Sequence, residues 1–100
     1  MALSEAQKKY LRGLGHHLKP VIMIADSGLS DAVASEFEIA ITHHELIKVS
    51  VRVGDKAARD AIIAKLCSDE ATGLVQRIGN MALLYRENSE KKKKIRLPSH

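Results

Sequence analysis

Aromatic residues are nearly absent from this chain: Tyr10, Phe37 and Tyr85 are the whole set, 3% of the residues, with no Trp. Any core must therefore be aliphatic. A sheet that stacks bases on exposed strand aromatics has almost nothing to work with, because the strands offer only Tyr85. Tyr85 is expected in the core with its hydroxyl at the edge, so base recognition by stacking should be minor. Cysteine is equally scarce. Cys67 stands alone, which excludes an intrachain disulfide and makes a reducing compartment the natural setting. Long apolar runs are missing too. No unbroken run, Val21 to Ala25 included, is nearly long enough to cross a bilayer. The opening Met1-Ala2-Leu3-Ser4-Glu5 has no basic region followed by an apolar stretch, so no signal peptide is read there. These absences lead to the expectation of a soluble, cytoplasmic protein with no membrane partner.

What is present fits one domain. The chain has 100 residues, 45% of them hydrophobic, enough for a modest core. Its formal charge of +4 is unevenly placed. Arg86, Lys91, Lys92, Lys93, Lys94 and Arg96 outnumber Glu87 and Glu90 in the last segment, whereas acids and bases balance over residues 1–85. The expected division is a neutral domain over residues 1–87 and a basic tail over 88–100. Such a tail suits an anionic polymer without saying which.

Periodicity and punctuation give an order of elements. Ser4-Glu5-Ala6-Gln7 has the form of a capping box, and Ala6, Tyr10, Gly13 and Leu14 recur at helical spacing up to a stop near Gly15. Lys8, Arg12 and His16 would form a basic stripe on another face if that helix continued far enough. Val21 to Ile24 reads as a short buried strand, and Ala25-Asp26-Ser27-Gly28 as a turn. Ser30 should cap a second helix with Val33, Phe37, Ala40 and Ile41 inward, ending near His43-His44. Leu46 to Val53 alternates: Ile47, Val49, Val51 and Val53 face a core, while Lys48, Ser50 and Arg52 face a largely open side. Asp55 should cap a third helix with Ala58, Ala61, Ile62 and Leu66 inward. Leu74 to Ile78 and Met81 to Arg86 form a hairpin over Gly79-Asn80, a pair that suits positive φ at both central positions. The last strand is almost continuously apolar and should be central. The expected fold is an α/β two-layer sandwich, α-β-α-β-α-β-β, with a four-stranded mixed sheet.

Few residues offer chemistry. His16-His17 and His43-His44 are adjacent pairs, and neighbouring residues on a helix point apart, unlike the i, i+4 pair that chelates zinc. No metal and no cofactor is expected. Cys67 has Asp69 and Glu70 nearby, which would suppress a thiolate. No serine is matched with a base. The pattern favours a binding module over an enzyme. The turn at 25–28 leads into a helix N-terminus, where backbone N–H groups lack intrahelical partners and attract phosphate. Turns of this kind are common in α/β proteins, so on its own this is a weak pointer.

Several segments together resemble the CRM domain, the chloroplast RNA splicing and ribosome maturation module, which bacteria carry as a stand-alone YhbY-type protein. They are Leu18-Lys19-Pro20-Val21, the turn before Gly28-Leu29-Ser30, His44-Glu45-Leu46-Ile47-Lys48-Val49, Gly79 with Leu84-Tyr85-Arg86, and Lys94-Ile95-Arg96-Leu97-Pro98. The resemblance covers nearly the whole chain in order. It implies a fold similar to the C-terminal domain of bacterial translation initiation factor 3. It also implies RNA binding through a GxxG loop, which falls here on Ala25, Asp26, Ser27 and Gly28. The first glycine is replaced by Ala25, for which positive φ would be costly, and Asp26 adds negative charge where a phosphate would sit. Arg12, Lys19, Lys48, Arg52 and the tail lysines Lys91, Lys92, Lys93 and Lys94 are the expected basic contacts. Ile95 and Leu97, alternating with Lys94 and Arg96, suggest that the tail end docks on the domain. The implied role is a monomeric assembly factor that contacts large-subunit rRNA in pre-ribosomal particles. The alternative is a protein-interaction module of the same fold with weak or lost RNA binding, motivated by Ala25, Asp26 and the neutral domain.

Overall fold

A computed structural model of the chain describes residues 2–99. Its elements run α1 Glu5–Gly15, β1 Pro20–Ile24, α2 Asp31–His44, β2 Leu46–Val51, α3 Lys56–Leu66, β3 Thr72–Ile78 and β4 Met81–Arg86. The strands form one mixed sheet in the order β1-β2-β4-β3. β1 and β2 are parallel, joined by the α2 crossover, while β4 is antiparallel to both of its neighbours. The nearly all-apolar β4 is thus internal, as its composition suggests: Ala82, Leu83, Leu84 and Tyr85 are each 3% exposed or less.

Side-chain direction alternates along the strands, so each internal strand feeds two cores. Ile47, Val49, Val51, Ala82 and Leu84 join Phe37 and Ile41 of α2 and Ile63 and Leu66 of α3 in the larger one. Leu46, Leu83 and Tyr85 face the opposite way and pack with Leu11 of α1 and Val75 of β3 in the smaller one. Leu3, Ile95 and Leu97 close over that second cluster. The principal two layers are the sheet and the α2/α3 pair, and a thinner cover of α1 and tail lies on the other face. Each buried Leu, Ile or Val contributes about 1.5–3 kcal/mol, so both faces contribute to stability.

The helix starts follow local chemistry. Ser4 accepts from the Gln7 backbone N–H at 3.1 Å while Gln7 Oε1 accepts from the Ser4 N–H at 3.0 Å, a complete capping box. Ser30 and Asp55 cap α2 and α3 by accepting from the N–H groups of Val33 and Ala58. Each cap is worth about 1 kcal/mol.

Several expectations need correction. The buried side of α1 is Leu11 and Gly15, whereas Tyr10 and Leu14 are 43% and 42% exposed. Gly15 suits that orientation, because a Cβ there would stand 2.7 Å from Leu83 Cδ2 and would push that side chain aside. In α3 Leu66 is buried and Ile62 packs against the core as expected, but Ala61 is exposed and the other buried residue is Ile63. β2 stops at Val51, two residues early, because its partners run out there: β1 ends at Ile24, and the Val51 N–H already reaches the turn carbonyl of Asn80. The Lys48 side of β2 is not largely open, since Ser50 is 1% exposed and Leu46 is buried in the second core. In the hairpin Gly79 has φ 58° while Asn80 does not adopt positive φ. Glycine at the first central position alone is the type II′ arrangement.

Candidate nucleic-acid interface

The residues expected to bind fall into three groups, or stations. The first is the turn after β1. The Gly28 N–H donates to the Ala25 carbonyl at 2.9 Å, and Gly28 carries φ 80°, which it alone in the turn needs. Ala25 does not have positive φ, so the cost expected of alanine does not arise. Asp26 is also not simply aimed at solvent. Its Oδ1 accepts from the Gly54 N–H at 3.4 Å and ties the turn to the β2–α3 connection. Arg52 sits at the same end, its N–H donating to the Ile24 carbonyl at 2.7 Å and its side chain exposed. Beyond Gly28, the N–H groups of Val33 and Ala34 are taken by Ser30, which leaves those of Asp31 and Ala32 without intrahelical partners. Ala25, Asp26 and Ser27 are all exposed.

The second station is a cleft of about 620 Å³ between the end of α1 and the sheet. Arg12 and His16 come to it from α1 and its C-cap, Lys48 from β2, and Gln76 and Asn80 from β3 and the hairpin. The basic stripe expected at Lys8, Arg12 and His16 thus contributes its last two members, while Lys8 pairs with Glu5 at 3.9 Å. Lys48 and Arg52 are four residues apart on nearly extended chain, roughly 13 Å. Lys19 lies at the other end of β1 from the turn, roughly 20 Å of extended chain away, beside the Pro20–Lys48 register pair. It therefore does not neighbour the loop, although the sequence order alone suggests that it does.

The third station is the tail. Lys92, Lys93 and Lys94 are exposed and line an open hollow of about 720 Å³ with Tyr85, Glu87 and Ile95. Lys91 differs, being half-buried with Nζ 3.7 Å from Glu45 Oε1. Glu45 was not singled out as a functional residue, and it organises this end. It is fully buried, has φ 65°, and accepts from the N–H groups of Asn88 at 2.9 Å and Ile95 at 3.1 Å. A second link runs from Gln7 Nε2 to the Pro98 carbonyl at 3.0 Å. Glu45 contacts segments 43 and 50 positions away, so no local pattern announces it. The only local signal is a carboxylate set between the end of α2 and an apolar strand.

Charge pairing separates structural from available cations. Arg86 forms a two-pronged contact with Glu38, donates from Nε to Thr72 Oγ1 at 2.9 Å, and lies 3.5 Å from Asp69. Hydrogen bonding to Glu38 raises its pKa above the ordinary arginine range. Arg77 and Lys56 hold Asp60, whose carboxyl is pulled below the usual range first by the Arg77 hydrogen bond and then by Lys56. Among the described residues Arg12, Lys19, Lys48, Arg52 and Lys92–Lys94 belong to no ion pair. Of these, Arg12 and Lys48 come together in the cleft beside α1.

Other chemistry is not assembled. Among the described residues no group of His, Cys, Asp and Glu converges as metal ligands, and no helix is long and apolar enough to cross a membrane. The rings of His16 and His17 meet edge to face with centroids 5.0 Å apart, those of His43 and His44 at 4.6 Å. Burial pushes the Cys67 thiol up, away from the reactive thiolate. Tyr85 is 1% exposed, and burial followed by the charges of Glu45 and Glu87 pushes its pKa to about 12.

Comparison with known proteins gives a consistent result. The family model for the CRS1 / YhbY (CRM) domain matches residues 3–86. A protein of Haemophilus influenzae named RNA-binding protein is 44% identical over 96 residues, covering 96% of this chain and 95% of the relative. A Pseudomonas aeruginosa protein whose name also carries the term RNA-binding is 44% identical over 95 residues, 95% of this chain and 91% of the relative. The solution structure of a Staphylococcus aureus protein superposes with a TM-score of 0.80 at 33% identity, covering 97% of this chain and all of the other.

Proposed function

The chain belongs to the CRS1 / YhbY (CRM) domain family, and from that premise we propose that it is an RNA-binding protein whose target is rRNA of an assembling large ribosomal subunit. RNA binding is supported by the family, by the names of its relatives, and above all by one observation: Arg12 and Lys48, in no ion pair among the described residues, line one cleft between α1 and the sheet. Phosphates would run from the turn, past Arg52 and Lys48, to Arg12, with Lys92, Lys93 and Lys94 extending the track beyond the second core. Each phosphate neutralised releases counterions, so affinity falls steeply with salt. Asp26 supports the alternative of a protein-interaction module less than its charge suggests, because its carboxylate accepts from the Gly54 N–H.

The role is that of a binding module in the cytoplasm, acting as a monomer and needing no cofactor. The ribosomal assignment rests on the family resemblance. Native protein should co-sediment with large-subunit precursors and leave them as salt is raised. Migration free of every ribosomal particle at low salt would contradict it.

A further inference from the structure

The α1–sheet cleft is more than another stretch of basic surface. Its floor is aliphatic: Leu83 is 3% exposed and Met81 half-buried, while Ile78 on the rim is 66% exposed. Arg12 and Lys48, both half-buried, stand over that floor with no ion-pair partner among the described residues. The side-chain amides of Gln76 and Asn80 line the same space and have no hydrogen-bond partner among the described residues. No carboxylate contributes to the lining. Its volume of about 620 Å³ falls within the range of small-ligand pockets, roughly 300–1,000 Å³.

We infer that this cleft receives a single unstacked nucleobase of the bound RNA. The inference rests on the RNA-binding reading and adds a base-reading pocket to it. Three chemistries converge in the cleft, and a nucleotide uses all of them. The aliphatic floor takes the face of the base, the two amides offer donors and acceptors to its edge, and Arg12 and Lys48 take the flanking phosphates. Other occupants leave something unmatched. Phosphate alone ignores the floor. An apolar protein segment would cover two cations and two amides without satisfying them, and burying such groups unpaired is costly. A continuous duplex keeps its bases stacked and cannot insert one. The cleft therefore selects for a single strand, bulge or loop. Scarcity of aromatics leaves His16 as the cleft's one stacking ring, but an aliphatic floor flanked by free amides does not depend on it.

The test compares two RNA probes of equal charge: a single-stranded hexamer with all its bases, and a hexamer of abasic riboses that keeps every phosphate. Binding is read by fluorescence anisotropy, and site occupancy by the NMR methyl signals of Ile78 and Met81. The intact hexamer should bind at least about fivefold more tightly, within the range for one well-placed base. It alone should shift both methyl signals. Ile78→Ser, at an exposed rim position that leaves the fold intact, should bring the two hexamers close to equal affinity. Equal affinity for the two probes on the unaltered protein, with salt-dependent binding retained, would overturn the base pocket and leave RNA binding standing. So would methyl signals that ignore both probes. Failure of both hexamers and of structured rRNA to bind at low salt would overturn the functional reading and the pocket together.

Discussion

The two faces of the sheet use their charges in opposite ways. On the α2/α3 face the strand arginines are engaged: Arg86 is fastened to Glu38, Asp69 and Thr72, and Arg77 to Asp60. There the charges sit at the margins of a closed aliphatic core and hold strands to helices. On the α1 face only half of the sheet is closed, by Leu11, Leu46, Val75, Leu83 and Tyr85 under the tail. The open half carries Arg12 and Lys48 without counter-charges among the described residues. Cations needed for the fold are matched internally, while those left unmatched beside a half-open surface are free for a partner. Net charge hides this, because acids and bases balance over residues 1–85.

Substitutions can break that contrast. The largest effect on stability should come from Arg86→Ala, which leaves Glu38, Asp69 and Thr72 without their shared donor. Hydrogen bonds to charged groups contribute about 1.5–3 kcal/mol, so chemical denaturation should report a loss of about 3 kcal/mol. Tyr85 should give the next largest. Its folded pKa is raised from 10.0 to about 12, so the neutral phenol is favoured in the fold. Its contribution should be intact below pH 10 and disappear as pH rises through 12. At about 1.4 kcal/mol per pKa unit this is a loss of about 2–3 kcal/mol. Tyr85→Phe should flatten that alkaline slope in pH-dependent unfolding. Glu45→Gln should cost about 2 kcal/mol, because an amide replaces a carboxylate that accepts from two backbone N–H groups and faces Lys91. Hydrogen exchange at Asn88 and Ile95 should accelerate more than exchange in β4. Gly28→Ala, at φ 80°, should cost about 1–2 kcal/mol.

The order of elements and all three helix caps were legible in the sequence, because Ser4, Ser30 and Asp55 act within three residues of themselves. The burial of β4 was legible too, since no strand open on one side reads Met-Ala-Leu-Leu-Tyr. The face of α1 was not. Tyr10 and Leu14 look inward by spacing, but Leu11 and Gly15 are the residues that meet the sheet, and those are tertiary contacts. The basic residues were legible as a list, yet charge alone could not sort the unpaired Lys48 from the paired Arg86. Pairing depends on partners as far away in sequence as Glu38 is from Arg86. The docking of Ile95 and Leu97 showed in their alternation, whereas the Glu45 anchor beneath them did not.

Deleting residues 88–100 would confuse charge with packing, since it strips Ile95 and Leu97 from the second core and leaves Glu45 buried alone. The decisive comparison uses point variants of the two faces. Arg12→Ala with Lys48→Ala removes two unpaired cations and should change stability by less than about 0.5 kcal/mol. The salt dependence of rRNA binding should then lose about 0.7–0.9 of log–log slope per phosphate contact removed, nearly two contacts in all. The control, Lys56→Ala with Lys65→Ala on α3, should leave that slope unchanged. An equal loss of slope in the α3 pair, or none in the Arg12/Lys48 pair, would contradict the assignment of RNA to the α1 face.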